Sequence, residues 1–136
     1  MKNFLKRFLV ILIALFVVFS FSACEKKASG NGKFEVSVVD QNAEQLYKTT
    51  IKFKSGDSAV DLLKNHEAIK LNGETSEYGF YVTGVYGIEA YSVGETYYWK
   101  LLVDGEASSV GISSIELVDG MKLEFDLIDW TTESWE

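Results

Sequence analysis

The 136-residue sequence has one cysteine and one histidine, and its acidic residues outnumber its basic residues by 20 to 13. A single cysteine, Cys24, excludes an internal disulfide. With His66 as the only histidine, the chain lacks an ordinary zinc ligand set and has no recognisable Ser-His-Asp context, so we interpret His66 as structural. The stretches "SGDS" and "VDGE" lack the spacing of a phosphate-binding loop. We therefore expect no enzymatic activity.

The first 23 residues have the pattern of a bacterial export signal. Three basic residues precede an apolar run at 8–21, which is too short for a comfortable transmembrane helix of ~20 residues. The run ends in "FSAC", which resembles a lipobox. We predict a signal peptide at 1–23 and lipid on Cys24, which anchors the protein to the extracytoplasmic face of the bacterial cell membrane. The alternative is an ordinary signal peptide followed by a chance cysteine.

Removal of residues 1–23 takes away three basic and no acidic residues, which leaves ten basic residues against 20 acidic ones. A domain with a net charge of −10 is repelled by nucleic acid and by anionic lipid headgroups, so we expect no nucleic-acid partner. Residues 24–33 contain the polar stretch "EKKASGNGK", which predicts a lipid-anchored flexible tether. Such a tether spans on the order of 17 Å.

Residues 34–136 are sufficient for one domain with one core. Alternating apolar residues in "FEVSVVD" and "LYKTTIKFK" predict a hairpin of two strands. Helical spacing in "SGDSAVDLLKNHEAIKL" predicts one helix, for which Asp57 or Ser58 is the expected cap. Three more strands are predicted in "FYVTGVYGI", "YYWKLLV" and "VDGMKLEFDLI", with Gly84 marking a bulge or close approach in the first. This order predicts an α+β, β-grasp-like two-layer domain in which a single helix covers one mixed sheet.

Two groups of side chains in this domain are candidates for a binding site. Glu124 and Asp126 share one face of the predicted last strand, and we interpret them as a solvated acidic edge rather than a calcium site. The strand "YYWKLL" carries large residues on both faces, although a single helix covers only one. The surplus apolar surface is covered either by a ligand or partner, or by the tail that contains Trp130 and Trp135.

Three stretches carry a family resemblance: "SEYGFYVTGVYGIEA", "YYWKLLVDGE" and "GISSIELVDGMKLEF". They resemble the C-terminal β domain of transcobalamin and intrinsic factor. They are still more similar to the transcobalamin-C-terminal-like domain of unknown function (DUF4430-type) in surface lipoproteins of Gram-positive bacteria. The resemblance implies a β-grasp-like fold with a cobalamin-facing surface. The residues expected to form that surface are Val82, Trp99, Leu101, Ser108, Ser109, Val110 and Gly111.

The sequence departs from the vitamin carriers in two respects. Ser108 stands where the resemblance predicts a larger apolar residue. We also expect no counterpart of the large helical domain that closes the carriers' ligand site. Our leading hypothesis is a membrane-anchored module that binds cobalamin or a related flat cofactor, without a covalent cofactor, and acts with a transporter or second domain. The alternative is a cell-surface protein-interaction or adhesion module on the same fold, with no small ligand.

Overall fold

The computed structural model describes residues 25–133, together with Asn3, Lys6 and Arg7. The predicted lipidation site Cys24, most of the predicted signal peptide and Trp135 lie outside the described residues. Among the described residues, no helix is long and apolar enough to cross a membrane.

A five-stranded sheet forms the larger part of the domain. Its strands are β1 (Gly32–Val39), β2 (Gln45–Phe53), β6 (Tyr97–Val103), β7 (Glu106–Ala107) and β8 (Lys122–Asp129), in the spatial order β2-β1-β8-β6-β7. The first and last strands, β1 and β8, are parallel, and the other neighbours are antiparallel. This pairing confirms the predicted α+β, β-grasp-like class.

The core lies on one face of this sheet. Alternation along the strands turns one set of side chains inward, and helix α1 (Ala59–Asn65) adds its own buried residues. Together the fully buried side chains include Phe34, Val36, Val38, Val60, Leu63, Leu123, Phe125 and Leu127. Fully burying a side chain of this size contributes about 1.5–3 kcal/mol. Helix α1 starts at the predicted cap, because Ser58 Oγ accepts a hydrogen bond from the Asp61 N–H at 3.3 Å.

A second, three-stranded sheet extends the predicted architecture. It contains β3 (Asn72–Ser76), β4 (Gly79–Val85) and β5 (Ile88–Glu89), in that order, and is followed by the short helix α2 (Ala90–Val93). The sequence of β3 predicted a loop, but this segment pairs with β4. Gly84 fulfils its prediction, since the register shifts beside it and an added Cβ would lie 2.5 Å from the Glu89 carboxylate.

The described part of the predicted tether is docked on the domain rather than free. We call residues 25–30 the N-terminal segment. Its Ala28 is 4% exposed, and the Ala28 N–H donates to the Asp57 carbonyl while the Ala28 carbonyl accepts from Gly56, at 2.8 and 2.7 Å. The Ser58 hydroxyl lies 2.7 Å from the Glu25 carboxylate. The expectation of a flexible tether is therefore wrong for these residues, because backbone hydrogen bonds and burial hold them in place.

Candidate functional site

The candidate ligand loop, residues 108–111, connects β7 to a 3-10 helix at Ile112–Ser114. The Ser108 N–H donates to the Leu101 carbonyl at 2.9 Å, which continues the ladder of β6 by one bond. The Ser108 hydroxyl donates to the Val110 carbonyl at 2.7 Å and accepts from the Val110 N–H at 3.2 Å. A small side chain at position 108 therefore fixes the loop by local hydrogen bonds, which explains why a larger apolar residue is not needed there.

The loop continues directly into contacts with the start of β4. The Ser113 hydroxyl accepts a hydrogen bond from the buried Phe80 N–H at 3.1 Å. At Gly111 an added Cβ would lie 3.7 Å from the Phe80 carbonyl, which is ordinary contact distance. Val82, two residues further along β4, is half-buried and packs against the core. The structure therefore places the end of the loop and the 3-10 helix after it beside the start of β4, the strand that carries Val82.

The loop also presents groups that a ligand could contact. Ser109 and Gly111 are exposed, and the Val110 side chain is 47% exposed. Leu101 packs against the core but is only half-buried, so part of its apolar side chain stays accessible. An exposed loop whose shape is set by its own hydrogen bonds is pre-organised, which lowers the entropic cost of binding.

Trp99 does not belong to this surface. It is 6% exposed, and its indole Nε1–H donates to the Ile88 carbonyl at 3.0 Å, which joins β6 to β5. Because both the ring and its polar group are used inside the protein, Trp99 contributes to the core and not to the exposed candidate surface. The sequence predicted the strand of Trp99 but did not reveal that its side chain is enclosed.

Comparison with known families identifies the domain. Residues 56–129, more than half of the chain, match the family described as Domain of unknown function (DUF4430). The chain belongs to the DUF4430 family. The match begins at Gly56, although β1 lies inside the larger sheet between β2 and β8, so the hairpin before Gly56 is part of the same fold.

Two solved structures resemble this DUF4430 domain. One is a candidate metal-binding protein from Ruminococcus gnavus ATCC 29149, with a TM-score of 0.55 and 20% identity, covering 71% of this chain and 95% of that one. The other is haptocorrin in complex with Cbi, with a TM-score of 0.54 and 25% identity, covering 71% of this chain and 25% of that one. The DUF4430 domain thus corresponds to about a quarter of the haptocorrin chain. No protein of curated function matches the chain.

The first likeness shows only a shared fold at its level of identity, so a metal site depends on the residues themselves. Between residues 25 and 133, no group of three or more His, Cys, Asp or Glu side chains is placed to hold a metal ion. His66 has a structural role, since its Nδ1 accepts from the Ala68 and Ile69 N–H groups at 3.2 Å each. The His66 ring also packs 6.0 Å from the ring of Tyr47.

The acidic residues of β8 occupy a different position from the one predicted. Since β8 lies between β1 and β6, Glu124 and Asp126 lie on the face of the sheet and not on a solvated edge. Burial raises the pKa of Asp126 to about 7, helped by the neighbouring Glu124 and opposed by Lys100. One carboxylate oxygen of Asp126, Oδ1, is buried and has no hydrogen-bond partner in the described part of the chain.

A network on β6 was not apparent from the sequence. Glu133 follows β8 in sequence and folds back onto β6. There its carboxylate accepts hydrogen bonds from Lys100 Nζ at 2.6 Å and from the Tyr98 hydroxyl at 2.7 Å. Burial, followed by the bond to Glu133 and its charge, raises the pKa of Tyr98 to about 12. The bond to Lys100, followed by that to Tyr98, lowers the pKa of Glu133. The tail therefore reaches the second face of β6 through Glu133, whereas its Trp130 stays 49% exposed.

Proposed function

We propose that this DUF4430 domain is a binding module without catalytic activity, anchored through lipid on Cys24 at the extracytoplasmic face of the membrane. Its ligand is a corrinoid such as cobalamin, or a related flat and partly apolar cofactor. The observation that carries this proposal is the likeness to haptocorrin in complex with Cbi, at 25% identity over 71% of this chain. The ligand surface is the loop at 108–111 together with Val82 and Leu101.

The loop geometry supports a ligand role on physical grounds. Val110 is exposed although it is apolar, and Leu101 and Val82 pack against the core but are only half-buried, so part of each apolar side chain stays accessible. The exposed backbone of Ser109 and Gly111 supplies hydrogen-bonding groups beside Val110. A flat cofactor with an apolar face and a polar rim needs this combination of apolar contact and a few fixed polar groups.

The surface is open, so we propose that a second protein completes the site. Two clefts with volumes of about 220 and 570 Å³ are lined by residues in or next to β1 and β2, by the turn at 118–121 and by Lys122, and neither includes the loop. A ligand held on one side only loses much of the area that would be buried in a closed pocket. We therefore expect weak binding by the domain alone and stronger binding when a transporter subunit or other partner covers the free side of the ligand.

The test is a titration of the chain from Cys24 onward with cobalamin and cobinamide, followed by visible absorption and calorimetry, with and without candidate transporter subunits. Ser108→Ala should weaken binding several-fold, because it removes the hydrogen bonds that fix the loop. Ser114→Ala is the matched control, since no described hydrogen bond uses its side-chain hydroxyl. The absence of any response, alone and with each partner, would overturn the proposal.

A second candidate function is protein interaction or adhesion at the cell surface. It is favoured by tyrosine side chains that project into solvent, with Tyr78 92%, Tyr91 75% and Tyr81 64% exposed. Exposed aromatic residues are common anchors in protein interfaces. Cross-linking in native envelopes discriminates the two functions, because a stoichiometric partner that persists after substitution of the 108–111 loop would favour adhesion.

A further inference from the structure

The N-terminal segment leaves the domain beside the candidate ligand loop. The Lys26 N–H donates to the Ser113 carbonyl at 2.8 Å, and the hydroxyl of the same serine accepts from Phe80. Ser113 is 9% exposed, so these bonds are shielded from water. The segment is thus bonded to the 3-10 helix that follows the loop, and one buried residue of that helix also bonds β4.

This docking limits how far a membrane anchor can lie from the domain. Glu25 is held by the Ser58 hydroxyl at 2.7 Å, and Cys24 is the next residue toward the N-terminus. Consecutive Cα atoms are about 3.8 Å apart, so lipid on Cys24 would enter the bilayer close to this contact. A free tether would have allowed any orientation, whereas a docked segment allows only those with this end toward the membrane.

We call this part of the molecule the anchor end, defined by the N-terminal segment, the β3–β4 turn and the turn at 118–121. The segment crosses it from Ser113, beside the β3–β4 turn, to Asn31, whose side chain accepts from the Ser55 N–H at 2.9 Å. Each turn carries one exposed apolar or amphipathic side chain, Tyr78 at 92% and Val118 at 58% exposed. Tyrosine is favoured at the membrane interface because its ring is apolar and its hydroxyl is polar.

A lysine-lined cleft lies at the same end. The larger cleft, about 570 Å³, is lined by Asn31, Gly32, Lys33, Lys52, Phe53, Lys54 and Asp119. Lys33 and Lys52 are direct cross-strand partners, an arrangement that is destabilising for like charges. Neither forms an ion pair between residues 25 and 133, and the Asp119 carboxylate already accepts from the Lys33 N–H at 2.9 Å. An anionic phosphate would offset this repulsion by charge-assisted hydrogen bonds.

We propose that the anchor end rests on the bilayer, with Tyr78 and Val118 at headgroup level and lipid phosphate at the cleft of Lys33, Lys52 and Lys54. This inference rests on the membrane attachment proposed above and adds an orientation to it. The net charge of −10 opposes contact between most of the domain and anionic lipid, but this cleft is locally basic. The orientation holds the ligand loop near the membrane surface, where a membrane-embedded partner can reach it.

The test places the mature chain on nanodiscs of phosphatidylcholine and phosphatidylglycerol that contain headgroup nitroxide lipids. Single thiol labels are introduced by Tyr78→Cys, Val118→Cys and, as a control in the β1–β2 turn at the other end of β1, Asn42→Cys. We expect several-fold stronger quenching at positions 78 and 118 than at 42, and a reduced difference when Lys33, Lys52 and Lys54 are replaced by glutamate.

Two results would overturn the inference, and they are distinguishable. Equal quenching at all three positions of a chain that co-floats with the discs would refute the orientation and leave the membrane attachment standing. Failure of the parent chain to co-float would refute the attachment and the orientation together. Neither result bears on the corrinoid titration, which reports ligand binding separately.

Discussion

Gly79 is the residue whose substitution tests most directly how the candidate loop is held against β4. Its φ is +112°, a backbone conformation that residues other than glycine rarely adopt, and an added Cβ would lie 2.5 Å from Ser113 Oγ. The serine hydroxyl cannot simply rotate away, because it accepts the buried Phe80 N–H. Gly79→Ala should therefore strain the backbone and break the contact between β4 and the helix that follows the loop.

The magnitude follows from these two effects. A non-glycine residue in the left-handed region costs about 1–2 kcal/mol, and a buried N–H left without a partner costs about 1–3 kcal/mol. We expect Gly79→Ala to lower the free energy of unfolding by about 2–5 kcal/mol, a large part of the total for a domain of this size. Ser113→Ala alone should cost about 1–3 kcal/mol, since it also leaves Phe80 unpaired.

The double-mutant cycle isolates the contact. Because the Phe80 bond can be lost only once, Gly79→Ala with Ser113→Ala should cost about 1–3 kcal/mol less than the sum of the two single changes. Gly87→Ala is the matched control, since its φ is +77° and no atom lies within 4 Å of the added Cβ. It should cost only the backbone strain and add to Ser113→Ala. Urea unfolding measures all five variants, and additivity at Gly79 within about 0.5 kcal/mol would refute the contact.

Three further predictions follow from other groups. The pKa of Asp126 is raised from 3.8 to about 7, so the folded state binds this proton more tightly, and its contribution to stability is lost as pH rises from about 4 to 7. We expect the protonated carboxyl to contribute about 2 kcal/mol to stability, half of what the whole pKa shift would give, because the group is partly exposed. Asp126→Asn should therefore flatten the pH dependence of the free energy of urea unfolding, and an unchanged slope would contradict the prediction. Glu133→Gln should lower the pKa of Tyr98 from about 12 part of the way toward 10.0, as ultraviolet titration of tyrosine would show, while an unchanged curve would refute the bond. The Ala28 N–H, which donates to the Asp57 carbonyl, should be protected in hydrogen exchange, whereas exchange at the rate of an unfolded chain would support the expectation of a free tether.

The elements that sequence reasoning predicted well are those set by local signals. Alternation in β1 and β8 identified which residues face the core, and Ser58 was among the expected caps of α1. Strand β3 was missed because "NGETS" contains few residues that favour strands. Its extended form depends on pairing with β4 and not on its own propensities.

The candidate site was only partly predictable, for a related reason. Alternation placed Trp99 and Leu101 on one face of β6, and both do face inward, but it could not show that Trp99 is enclosed while Leu101 stays half-exposed. That difference depends on Ile88, which lies on another strand and binds the indole N–H. Burial is a property of the assembled layers, so strand periodicity alone predicts a face and not the exposure of each residue on it.

The least predictable feature is the one that connects the N-terminal segment to the candidate loop. A serine in the polar stretch "GISS" gives no signal, yet Ser113 uses its carbonyl for Lys26 and its hydroxyl for Phe80. These partners lie far from it in sequence, so composition suggested a free tether and an independent loop. Because Ser113 is bonded to Lys26 and lies two residues after the loop, removal of residues 25–30 should also change the loop. Ligand binding is therefore properly measured on the mature chain and not on a fragment that begins at β1.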